Sequence, residues 1–194
     1  MTAQPQVVPP PTTAPVLPPP PRSRRARREE RRRLRRQDRL AARLAELSRL
    51  DLLLADAGSL IGQGWVQHAW FRYRDDAGEP RVATVFDLGR MSGRPVIGAC
   101  LVGGLVQAGG GPAAARSQLV THAVELTWHT LHEPASRAVR WTPSPLLHAA
   151  HVRDLTRWND SFGRTSYDVT GLLEAATTTV RAEVARAREE QAAL

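Results

Sequence analysis

Residues 24–39 hold ten arginines and only two apolar side chains, Ala26 and Leu34. A segment of that make-up has no face to bury, so it stays outside any core whatever secondary structure it takes. Residues 1–22 carry nine of the fifteen prolines, in runs at 9–11 and 18–21. They lack the donors and aromatic groups needed to fold and are expected to sample extended polyproline II conformations. The foldable part of the chain therefore starts near Leu40. The organisation read from this is a disordered proline-rich tail over 1–22, an arginine-rich basic arm over 23–39, and a single mainly helical domain over 40–190.

Charge follows the same division. The chain of 194 residues has a formal net charge of +8, yet residues 22–50 alone hold thirteen arginines against four acids. The remainder is close to neutral, and lysine is absent throughout. With abundant Ala, Leu, Val and Gly, that choice of arginine reads as the codon supply of a GC-rich genome. A lysine-free chain also excludes the phosphate-binding P-loop, for which glycines 109–111 would otherwise invite a search.

Other classes fall away on composition. A lone Cys100 permits no internal disulfide and no cysteine-based zinc site, which suits a cytoplasmic protein. The longest apolar run, 96–106, includes three glycines and is far short of the roughly 20 residues of a membrane span. The opening MTAQPQVVPP has neither the basic nor the apolar region of a signal peptide, so export is not expected.

Along the foldable part, Ser23 is placed to cap a helix that continues to about Gly62. Leu40, Leu44, Leu47, Leu50, Leu54, Ala57 and Ile61 fall on one stripe of it. Residues 65–74 alternate aromatic and polar groups, 75–78 supply turn residues, and 81–88 return with β-branched and aromatic ones, which together predict a β-hairpin. The short apolar run 96–108 is read as a buried helix, with strand as the alternative; Gly98, Gly103 and Gly104 there allow close backbone approach. Further helices are expected over 113–132 and 144–157. A last one opens on Thr165 with Asp168 as a capping pair and buries Val169, Leu172, Leu173, Ala176 and Val180. The fold class is thus mainly α (α+β): a helical domain with one small hairpin, preceded by the tail and an Arg-rich helix.

Residues 157–175 contain Trp158, Asn159, Asp160, then Gly163, Arg164, Thr165 and an amphipathic helix. This Trp-Asn-Asp and Gly-Arg-Thr signature resembles a family of small domains of unknown function from high-GC Gram-positive bacteria and their phages. Gly64-Trp65, the turn at 75–78 and Cys100-Leu101-Val102-Gly103 are similar to its upstream part. The resemblance spans about 50–176, departs over 79–94 and 132–145, and implies a fold without an activity. The motif residues Trp65, Cys100, Trp158, Asn159, Asp160, Gly163, Arg164 and Thr165 read as structural. Asn159 and Asp160 turn the chain, Gly163 takes positive φ, Thr165 caps a helix, Arg164 pairs with a nearby carboxylate and Trp158 packs into the core.

Four functional readings follow. The arm, through Arg24, Arg25, Arg27, Arg28, Arg31, Arg32, Arg33, Arg35 and Arg36, is expected to contact nucleic acid or another polyanion electrostatically, without base specificity, because no groove-reading element is recognisable. A protein-protein adaptor, using the proline tail or the leucine stripe, is the first alternative. The second is a cysteine hydrolase using Cys100, His122 and Asn159, in the chain order of papain-like enzymes; against it, Cys100 lies in an apolar run where a lone cysteine is usually a small hydrophobe. Glu125 and His129 at i,i+4, with His148 or His151, are the nearest approach to a metal set. They lack a compact ligand signature, so no metal and no cofactor is assigned.

Overall fold

A computed structural model describes residues 24–91, 93–134, 137, 139, 141 and 144–193. The proline-rich segment and the Ser23 cap lie outside them. The chain divides into two units, the first ending at Arg36. Helix α1 (Arg24–Gln63) provides every described residue of the first unit and the opening helix of the second. In the first unit each described side chain is exposed, Leu34 included.

In the second unit α1 acquires a buried side from Leu40 onward. Leu47, Leu50, Leu54, Ala57 and Ile61 are buried, as their spacing requires, and Leu53 joins them, while Leu44 is only half-buried. Strands β1 (Phe71–Arg74), β2 (Pro80–Ala83) and β3 (Val96–Ala99) form an antiparallel sheet in the order β2-β1-β3. Helices α2 (Leu101–Ala108), α3 (Gln118–His132), α4 (Pro145–Asn159) and α5 (Ser166–Ala192) complete the unit. Phe71, Leu101, Leu105, Leu126, Leu155 and Leu173 meet the α1 stripe in one core. Helix α5 runs antiparallel to α1, with Arg43 on Glu183 at 2.6 Å and Arg181 on Asp51 at 3.1 Å.

The hairpin turn forms as expected. Asp75 Oδ1 accepts from the N–H groups of Ala77 and Glu79, and Oδ2 accepts from Arg81 Nε at 3.0 Å. These donors, Arg81 first, hold the Asp75 carboxyl below its ordinary value.

The flanking strands are shorter than the sequence suggests, for identifiable reasons. Gly64 and Val66 pair with Ala99 instead of β2, in a parallel bridge at Trp65. His68 then takes φ +59°, which breaks the extended run and leaves only 71–74 as strand. On the return, the Asp87 carboxylate accepts from the Thr84 N–H and hydroxyl, which folds residues 85–91 into a 3₁₀ segment instead of a strand.

The run read as one buried helix over 96–108 is a strand followed by a helix. Gly98 lies against Gly64: a Cβ on Gly98 would sit 2.4 Å from Gly64 O, so glycine lets the backbone pair there as β3. Cys100 then ends the strand as the N-cap of α2, its Sγ accepting from Gly103 N–H at 3.3 Å. Gly103 is needed for packing, since a Cβ there would stand 2.0 Å from Trp70 O. Helix α3 begins five residues later than expected, because Pro112 opens a separate 3₁₀ turn and Ser117 caps Gln118–His132. At α5 the Thr165 and Asp168 capping box is complete in both directions.

Candidate functional site

The Trp-Asn-Asp motif stands at the C-terminus of α4, where it meets the start of β3–α2 and the end of α1. Asn159 is fully buried. Its Oδ1 accepts from Trp65 Nε1 at 2.9 Å and from Leu101 N–H at 3.0 Å. Its Nδ2 donates to Val66 O at 3.2 Å and Asp160 Oδ1 at 2.8 Å. One amide thereby satisfies the first N–H of α2 and, from residues 65 and 66, an indole and a backbone carbonyl. Asp160 Oδ1 also accepts from His68 N–H at 2.9 Å, which holds the unusual backbone of His68, and Gln67 Nε2 donates to Asn159 O at 3.0 Å.

The rest of the motif turns the chain. Gly163 has φ +78°. The Arg164 guanidinium lies 4.0 Å from the Trp158 ring centroid and its Nε donates to Trp158 O at 3.3 Å. The guanidinium's direct contacts are an aromatic face and a carbonyl, which its planar shape suits, while its charge also acts on the carboxylate of Asp168. Trp158 is half-buried against the core rather than sealed within it.

Cys100 is 1 % exposed, and burial, with Asp160 adding to it, pushes its thiol up to about 12. A thiol so placed forms almost no thiolate near neutrality. His122 sits elsewhere, its Nδ1 2.6 Å from Glu46 Oε1 and its ring 4.6 Å from that of Trp141. Asn159 is occupied by the clasp. Among the described residues no hydrogen bond joins Cys100 to a histidine, so the three groups of the hydrolase reading are not brought together.

The α3–α4 contact does assemble part of the histidine set. Glu125, 2 % exposed, lies with its carboxylate oxygens 3.2 Å from His148 Nδ1 and 2.8 Å from His151 Nδ1. Trp128 stacks on His151 at 3.9 Å and directs Nε1 to Asp154 at 3.4 Å. His129 does not join: its Nε2 is 3.0 Å from Arg137 O. Among the described residues no group of three ligands that could hold a metal is present. Trp128 and Asp154 escaped the sequence reading, although Asp154 stands three residues beyond His151 on α4 in the same rhythm as His148.

In the arm, helicity adds what the sequence list of arginines lacked. At about 100° per residue, Arg24, Arg28, Arg31 and Arg35 fall within an arc of about 60°, flanked by Arg25, Arg32 and Arg36. Glu29 lies beyond that ridge and pairs with Arg25 at 3.1 Å. The leucine stripe from Leu47 to Ile61, by contrast, is spent in the chain's own core and offers no free face.

These features define a small α+β domain closed by an asparagine clasp, with an arginine helix ahead of it. The chain belongs to a family of unknown function, DUF6197, which matches residues 46–179 and so takes in the clasp and the sheet but not the arm. No curated protein and no solved structure matches it. No described helix is long and apolar enough to cross a membrane.

Proposed function

We propose that the protein is a non-enzymatic binding or accessory protein whose arginine helix docks on nucleic acid through the phosphate backbone. The observation that supports this is the one-sided ridge of exposed arginines, Arg24, Arg28, Arg31 and Arg35, on the described helix. A polyanion approached along that face meets consecutive cations on one line, and release of its condensed counterions drives association. No groove-reading motif is recognisable around the ridge, so the contacts proposed are to phosphate and carry no sequence information. Arginine suits the task because its fork engages phosphate in two hydrogen bonds.

The test is a salt titration of duplex DNA and RNA binding by the full chain. Affinity should fall with salt at a logarithmic slope of about −0.9 per phosphate neutralised on duplex DNA. Changing Arg24, Arg28, Arg31 and Arg35 together to Gln preserves helix propensity and should reduce the slope by about 3 to 4. An unchanged slope and affinity in that variant would exclude the arm as the contact.

A further inference from the structure

We propose that the chain pairs with a second copy of itself through the outer face of α5, in an antiparallel two-fold arrangement centred between Thr177 and Thr178. Helix α5 turns Val169, Leu172, Leu173, Ala176 and Val180 into the core. On the side away from them, at about 100° per residue, Tyr167, Glu174, Thr177, Thr178, Arg181 and Arg188 fall within an arc of about 100°. All of these except the half-buried Thr177 are exposed, Tyr167 by 84 %. Beside this face, toward α1, run two cavities of about 590 and 450 Å³ that share Arg181. Ala55, Gly58 and Ser59 keep the α1 wall of the first one low, and Leu52, 66 % exposed, borders the second together with Arg188.

The order of residues along the face supplies the occupant. A two-fold interface must complement itself, so a residue that stands some positions before the axis meets the one that stands as many positions after it on the other copy. About an axis between Thr177 and Thr178, Glu174 meets Arg181 of the other copy and Arg181 meets the other Glu174, which makes two ion pairs per dimer. Two turns further out Tyr167 meets the other Arg188, whose guanidinium covers the ring, and Leu52 stands beside that arginine to cover the ring's edge. Thr170 meets Ala185, and threonines meet at the axis, so small side chains let the helices approach. A face of one charge sign, or one with Glu174 and Arg181 at unequal distances from the threonine pair, would not match itself.

The charges are available for this. Arg181 Nε donates to Asp51 at 3.1 Å, but the arginine side chain is 70 % exposed and its fork keeps further donors for a second carboxylate. Outside residues 22–50 the chain is close to neutral, so no large net charge there holds two copies apart.

Sedimentation velocity on the nuclease-treated full chain tests the pairing. The chain should show a monomer–dimer equilibrium between about 1 and 100 μM. Glu174→Arg and Arg181→Glu each set like charges against one another twice per dimer, and each should weaken self-association by at least about a hundredfold. Mixed in equal amounts, the two variants should dimerise again, because one copy then carries both arginines and the other both glutamates. That rescue also shows that both variants are folded. Tyr167→Ala should weaken the dimer about tenfold with the circular dichroism spectrum unchanged. A chain that stays monomeric up to about 100 μM, a dimer indifferent to both charge reversals, or a mixture that does not recover would each overturn the proposal.

Discussion

Asn159→Ala removes one side chain and strands three partners. Leu101 N–H is fully buried and Val66 O lies in a residue only 9 % exposed. Trp65 is half-buried and its Nε1 reaches water more readily. A buried polar group left without a partner costs about 1–3 kcal/mol. Two such groups, with a smaller contribution from the indole, set the expected loss at about 3–4 kcal/mol, a large share of a typical domain's stability of about 5–15 kcal/mol. With a urea slope of about 2 kcal/mol/M, the midpoint of unfolding followed by circular dichroism should fall by about 1.5–2 M. Trp65→Phe should cost about 1 kcal/mol, and the Trp65→Phe, Asn159→Ala double variant should lose less than the sum of the two, because both remove the same bond. Asn159→Asp is the sharper control: it keeps the Oδ1 acceptor but replaces the donor 2.8 Å from Asp160 Oδ1 with a second carboxylate oxygen. It should be as damaging as alanine at pH 7 and recover as the pH falls. A loss below about 1 kcal/mol for Asn159→Ala would refute the clasp as a structural device.

Cys100 gives two readouts. Its native thiol should resist Ellman's reagent at pH 8 and react at once in denaturant. Its folded value of about 12 stands above the ordinary 9.0, so its contribution to stability is complete below about pH 9 and is lost as pH rises toward 12; Cys100→Ala should flatten that decline in alkaline urea titrations. The glycines differ in kind. Gly103→Ala forces a Cβ to 2.0 Å from Trp70 O and should abolish or severely destabilise folding, whereas Gly171→Ala meets nothing within 4 Å on α5 and should raise the urea midpoint through a gain of up to about 1 kcal/mol. At the α5 cap, Asp168 is held below its ordinary 3.8 by the hydroxyl and then the N–H of Thr165, so the cap's support is present above that value and should fade as pH drops through the lowered one, measurable as an acid-side loss of thermal stability that is smaller in Thr165→Ala.

The helices were legible because their signals are local. Thr165 and Asp168, Ser144-Pro145 and the leucines of α1 each announce an element within a few residues. What failed needed partners from elsewhere. The third strand was read as helix because the glycines of 96–104 suit either, and only pairing with β1 and Gly64 decides. Cys100 was not suspected as an N-cap because sulfur is a weak acceptor and sequence preference at caps favours oxygen. At the site, His148 and His151 were visible as members of a set, but Glu125 reaches them through the register of α3 on α4. His129, equally well placed on α3, is taken by a loop carbonyl. Arg164 acts on the charge of Asp168 as expected, but its stacking on the Trp158 ring was not legible.

The clasp also bears on time. Asn159 joins segments separated by 94 and 58 residues along the chain, so its bonds carry a large loop-closure cost and are expected to close after the sheet and α4 have formed. Contacts formed that late are largely absent from the folding transition state, and they set how long the native state lasts rather than how fast it is reached. Weakening the amide should therefore leave the folding limb of a chevron nearly unmoved and raise the unfolding limb.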